Sequence, residues 1–161
     1  MAILSITLAA AFVASAQVNL TSLDGKSVNV EGQTGKVVVL AIGASWLPLS
    51  DKQAEFTNAL AKKYAGKNVV VYFVATDSAN AKSKNFATNE AIKKFAFENK
   101  LTVTVLRDSD GGLLMKKFDV DQMPTFVILD KQGKQSGEPF GGIDPKYDVT
   151  IPISKAIDKL L

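Results

Sequence analysis

The sequence predicts an α/β fold with a mixed central β-sheet flanked by α-helices, and three observations carry that prediction. Two continuous apolar runs, Val37-Val38-Val39-Leu40-Ala41-Ile42 and Val69-Val70-Val71-Tyr72-Phe73-Val74-Ala75, have the character of strands buried on both faces. Each is followed by a stretch with apolar residues at helical spacing, the strand-helix order that favours parallel strands with helices on the sheet faces. A third run, Thr125-Phe126-Val127-Ile128-Leu129-Asp130, leads into Lys131-Gln132-Gly133-Lys134, a hairpin turn that adds an antiparallel partner.

Taken in order, residues 1–16 read as an export signal. Residues 2–13 are uncharged and mostly apolar, and Ala14-Ser15-Ala16 supplies small residues for cleavage after Ala16. The alternative is a buried N-terminal strand or helix. The run is shorter than the roughly 20 apolar residues of a membrane span, so no integral span is expected. Residues 17–161 contain no linker, repeat or low-complexity run and should form one domain. Asp24-Gly25-Lys26 is a turn between short β-prone stretches. After the first core strand, residues 51–64 form a helix with Phe56, Ala59, Leu60 and Tyr64 on its apolar face, ended by Gly66. After the second strand, a polar connection over 77–88 leads to a helix with Ile92, Phe95 and Ala96 on one face. A short strand over 103–106 and a final helix over 153–161, with Ile153, Ile157 and Leu160 inward, complete the domain.

Composition excludes much chemistry. The chain has neither cysteine nor histidine, which removes Ser-His and Cys-His nucleophile pairs and the zinc and copper sites built on those ligands. No metal site or cofactor is expected. Asp108-Ser109-Asp110-Gly111 resembles the start of a calcium loop, but Leu113 and Asp119 occupy the sixth and twelfth positions, where such a loop requires Gly and Glu. A polar turn is the better reading. The formal net charge is +3, with lysines interleaved among acids and Arg107 the only arginine; this pattern describes a solvated surface rather than a nucleic-acid interface.

Three local patterns then fall in a meaningful order. Leu23-Asp24-Gly25-Lys26 precedes Gly35-Lys36 and the first core strand. Ala44-Ser45-Trp46-Leu47-Pro48-Leu49-Ser50 joins that strand to its helix. Val120-Asp121-Gln122-Met123-Pro124-Thr125 enters the third strand. Together they resemble the exported thioredoxin-like thiol-disulfide oxidoreductases of the TlpA/ResA type, linked in bacteria to cytochrome maturation and redox homeostasis. The resemblance spans residues 22–134 and implies a thioredoxin-like fold with an exported, periplasmic or secreted, location.

The same resemblance places Leu47 where the attacking cysteine would stand and Ser50 where the resolving cysteine would stand, with Pro48 and Leu49 between them. Ala41 replaces a polar proton-handling residue, and Gly43 replaces an aromatic. It also implies a cis bond before Pro124 and a Met123 backbone that pairs with an extended substrate segment. A thiolate is the nucleophile of disulfide exchange, so this chain cycles no dithiol of its own, and peroxidase or copper-delivery chemistry of related proteins fails for want of the same residues.

The expected function is therefore non-catalytic binding of a protein or extended peptide through Trp46, Leu47, Pro48, Leu49, Met123, Pro124 and Thr125. The alternatives are redox work with a partner's cysteines and a purely structural subunit. Trp46 reads equally as partner anchor or loop scaffold, and Leu47 as exposed contact or core residue. Ser50 and Gln53 have the spacing of a capping box. Phe86, in Lys82-Ser83-Lys84-Asn85-Phe86, is either a lid contact or part of a solvated connection, the latter being favoured.

Overall fold

The computed structural model describes residues 17–161, so the expected signal segment lies outside the described residues. The elements in chain order are β1 (Asn19–Ser22), β2 (Ser27–Asn29), β3 (Val37–Gly43), α1 (Ser50–Lys63), β4 (Val69–Ala75), α2 (Asn89–Glu98), β5 (Thr104–Arg107), α3 (Leu114–Lys117), β6 (Thr125–Leu129), β7 (Phe140–Gly141) and α4 (Thr150–Asp158). They form one mixed sheet in the order β2-β1-β5-β4-β3-β6-β7. The β3, β4 and β5 strands are parallel, while β1 lies antiparallel to β5 and β6 antiparallel to β3.

The apolar run of β3 explains its central place. All seven residues are buried, and burying a Val, Leu or Ile side chain contributes roughly 1.5–3 kcal/mol. Alternation divides them between two cores. Val37, Val39 and Ala41 face one core with Phe56, Leu60 and Tyr64 of α1, Ile92 of α2, and Ile153 and Ile157 of α4. Val38, Leu40 and Ile42 face the other with Leu114 of α3, Leu20, Phe118 and Val120. Register is set on both flanks, with Val37 opposite Val69 and Ile42 opposite Thr125.

Local chemistry accounts for most of the boundaries. Thr88 caps α2 by accepting from Ala91 N–H at 3.1 Å. The hairpin after β6 turns at Gly133, whose φ is +78° and whose Cα lies so close to the Glu31 carbonyl that a Cβ would stand 2.1 Å from its oxygen. Helix α1 faces the core with Ala54, Thr57 and Gln53 as well as Phe56, Leu60 and Tyr64, whereas Ala59 is exposed. The final helix begins at Thr150, three residues before its expected start. Pro152 sits in its first turn, where a missing N–H costs no helical bond.

Helices α1 and α4 are joined by Tyr64, whose hydroxyl donates to Asp158 Oδ1 at 2.8 Å and lies 3.2 Å from Ser154 O. Burial pushes the phenols of Tyr64 and Tyr72 above their ordinary value of 10.0. Because the folded state holds these protons more tightly, their contribution to stability is complete below pH 10 and is lost as pH rises through the raised values. Tyr64→Phe is expected to cost about 1 kcal/mol near neutrality. Urea denaturation at pH 8 and pH 11 should show the gap between wild type and variant narrowing at the higher pH.

Candidate functional site

Strands β3 and β4 end side by side, and the connections that leave them form the site. Thr76 N–H donates to Gly43 O at 2.7 Å, and the Thr76 hydroxyl donates to the same carbonyl at 2.9 Å. The hydroxyl also lies 3.5 Å from Met123 Sδ. On the other flank Ile42 pairs with Thr125, so the segment before β6 lies beside the loop that leaves β3. The Met123-Pro124 bond is cis. Trp46 to Ser50 and Met123 to Thr125 are thus brought to one end of the sheet, as the resemblance implies.

The loop after β3 is held by an acid. Asp77 is fully buried, and its carboxylate accepts from Ser45 N–H at 3.1 and 3.2 Å and from the Ser45 hydroxyl. Two turns follow, with Leu47 N–H donating to Ala44 O and Ser50 N–H to Leu47 O, both at 3.2 Å. Trp46 is 47% exposed, Pro48 is exposed, and Leu47 and Leu49 are half-buried. Leu49 precedes the helix in a left-handed conformation at φ +66°, a region that costs an L-residue roughly 1–2 kcal/mol.

The capping box expected of Ser50 and Gln53 does not form. Leu49 takes the N-cap position with no side-chain cap, which makes Ser50 the first helical residue. Its buried hydroxyl turns back to Ala44 O. Gln53 points inward, where Nε2 donates to Ile42 O at 3.1 Å and to Thr125 O at 2.8 Å. Its carboxamide lies against Gly43, where a Cβ would stand 2.1 Å from Oε1. Gly43 and the inward Gln53 are one arrangement, because a side chain at position 43 and the carboxamide cannot both occupy that space. Among the described residues, Gln53 Oε1 and Thr125 Oγ1 carry no hydrogen-bond partner.

Thr125 and Pro124 are buried and Met123 is half-buried, so the Thr125 side chain stands beneath the surface. Neither Met123 N–H nor Met123 C=O has a protein partner among the described residues. Two shallow hollows lie elsewhere. One, of about 260 Å³, is lined by Leu23, Lys93 and Val105 among others; another, of about 210 Å³, lies between Lys52 and Phe56 of α1 and Tyr147. The exposed chain around Trp46 and Met123 forms a ledge.

Three contributors to the site were invisible as such in the sequence. Asp77 read as part of a polar connection and Gln53 as half of a capping box. Arg107 gave only a count; it is half-buried and donates to Asn89 Oδ1 and to the carbonyls of Ser78 at 3.0 Å and Ala87 at 2.6 Å. It thereby folds the 77–88 connection, in which Phe86 bridges back to Ser78 and stays 41% exposed. The carboxylate of Asp108 accepts from Leu113 N–H and Leu114 N–H at the start of α3, and Asp110 accepts from the Ser78 and Ser109 hydroxyls. These acids serve as turn acceptors.

The strand order, the cis bond and the loop at the end of β3 define a thioredoxin-like fold. The Redoxin family model matches residues 9–136, and the chain belongs to that family. It is 30% identical over 115 residues to the thiol-disulfide oxidoreductase ResA of Bacillus thuringiensis subsp. konkukian, covering 71% of this chain and 61% of that protein. The chain thus spans about three fifths of that relative's length. Among solved structures it is similar to a putative thiol:disulfide interchange protein DsbE from Chlorobium tepidum, with a TM-score of 0.71 at 25% identity over 88% of this chain and 94% of that one. It is also similar to the exposed lipoprotein thioredoxin Etrx1 of Streptococcus pneumoniae, with a TM-score of 0.67 at 26% identity over 87% and 99%.

Gly43→Ala forces the Gln53 carboxamide off two buried carbonyls and is expected to destabilise by about 1–3 kcal/mol. In Gln53→Ala the same methyl meets no amide, so a double-mutant cycle by urea denaturation should show strong non-additivity. Asp77→Ala removes the acceptor of Ser45. Because Trp46 is the only tryptophan, its fluorescence should shift to the red and lose anisotropy in that variant.

Proposed function

We propose that this chain is a non-catalytic redoxin that docks an extended peptide or protein segment on the ledge formed by Trp46, Leu47, Pro48, Leu49 and Met123. The observation that carries the reading is the unpartnered Met123 backbone beside a half-exposed tryptophan. An incoming extended segment accepts from Met123 N–H and donates to Met123 C=O, in the manner of strand addition. Trp46 and Leu47 supply apolar contact, and the buried Pro124 and Thr125 hold the Met123 backbone in place from below.

Leu47 in the attacking position supplies contact area and no electron pair for a disulfide, and Ser50 has its hydroxyl committed to Ala44 O. No histidine is available as base. The relatives are thiol-disulfide oxidoreductases, so the segment they would hold while exchanging disulfides is here held without chemistry. An exported location agrees with this reading, since one similar protein is described as an exposed lipoprotein.

Titrating the purified protein with cysteine-free extended peptides, followed by amide NMR, should shift Trp46, Leu47 and Met123 together. Trp46→Ala is expected to weaken the best binder by about tenfold or more. Insulin reduction by the same preparation should stay at background; turnover would return the chain to the oxidoreductases, and shifts confined to other surfaces would remove the ledge as its site.

A further inference from the structure

The edge of the sheet opposite the ledge is lined with lysines that have no acidic partners. Lys36 precedes β3, and Val37 N–H donates to Asn68 O, next to Lys67. Lys63 Nζ and Lys67 Nζ stand 5.5 and 5.2 Å from the centre of the Tyr64 ring. The Tyr64 hydroxyl reaches Asp158 and Ser154 of α4, which brings Lys155 and Lys159 to the same edge. The hairpin turn joins from the other side, with Gly35 N–H donating to Lys131 O. All of these lysines but Lys131, whose Nζ donates to Leu161 O at 2.6 Å, are exposed, and none of them pairs with an Asp or Glu side chain among the described residues. Asp130, which accepts turn N–H groups, and Asp158, which accepts the Tyr64 hydroxyl, keep their negative charge on this edge and are outnumbered by its lysines.

We infer that this edge is an electrostatic docking surface for an anionic phospholipid bilayer. Lysines at helix C-termini complement the helix dipole, but that role accounts for Lys62, Lys63 and Lys155 and not for Lys36, Lys67 or Lys134, which lie in connections. The patch consists of flexible lysine point charges with no arginine among them, which suits a diffuse layer of headgroups rather than the fork geometry of nucleic-acid recognition. With a net charge of only +3 for the whole chain, so many unpaired lysines on one edge leave the rest of the molecule net negative. The attraction is therefore directional. Bound by this edge, the protein presents the Trp46 and Met123 ledge away from the bilayer.

Co-sedimentation with vesicles tests the assignment independently of peptide binding. Equimolar phosphatidylglycerol and phosphatidylcholine vesicles should retain the protein at low salt and release it at about 0.5 M NaCl, while pure phosphatidylcholine retains none. The triple variant Lys36→Glu, Lys67→Glu, Lys155→Glu should lose binding by about 100-fold or more, at about fivefold for each lysine. A control with the same charge change on the other end of the sheet, Lys82→Glu, Lys84→Glu, Lys116→Glu, should bind within about threefold of wild type, both variants being checked for fold by circular dichroism. Equal loss in both variants would reduce the effect to net charge and overturn the edge assignment. Absence of binding to the anionic vesicles, or equal affinity for duplex DNA of matched phosphate concentration, would overturn the bilayer assignment.

Discussion

Gln53 donates both protons of one buried carboxamide to carbonyls on two neighbouring strands, Ile42 O of β3 and Thr125 O of β6. Those carbonyls lie at the ends of the two strands that deliver the ledge, one just before the Trp46 loop and the other just after the cis bond. A buried carbonyl without a partner costs roughly 1–3 kcal/mol, so the amide fixes the spacing between the two halves of the site from below. Its own position requires space above Gly43 and an inward-facing fourth residue on α1. Helix start, strand end and ledge are one mechanical unit.

Around that unit the loops are secured by short-range polar contacts rather than by apolar packing. Asp77 holds Ser45, Arg107 gathers the carbonyls of the 77–88 connection, and Asp108 collects the free N–H groups before α3. All three sit at the same end of the sheet, where β3, β4 and β5 terminate together. The buried Asp77 carboxylate fixes the shape of the loop, with Trp46 displayed beyond it.

Charge divides along the same axis. Asp77, Asp108 and Asp110 serve as turn acceptors at the ledge end, while at the opposite end lysines outnumber Asp130 and Asp158. The polarity arises in part from topology, because α1 and α4 end at the far edge, where Lys62, Lys63 and Lys155 in their last turns complement the dipole. Adding lysines from the connections to that base gives a surface of one sign from a chain of modest net charge.

Much of this was present in the sequence. The continuous apolar runs determined β3, β4 and β6, because a strand covered on both faces needs no polar alternation, and the absence of cysteine and histidine determined which chemistry is closed to the chain. The ordered patterns around Trp46 and Pro124 located both halves of the ledge. What the tertiary structure decided is where polar side chains spend their hydrogen bonds. Gln53 has the spacing of a cap yet faces inward, Ser50 turns back to Ala44, and Thr125 sits beneath the surface it was expected to form. Sequence spacing records neighbours along a helix or strand, whereas a buried amide or carboxylate answers to whichever unpaired backbone group the fold brings within about 3 Å. That partner is set by strands up to 72 residues away, and no local pattern encodes it.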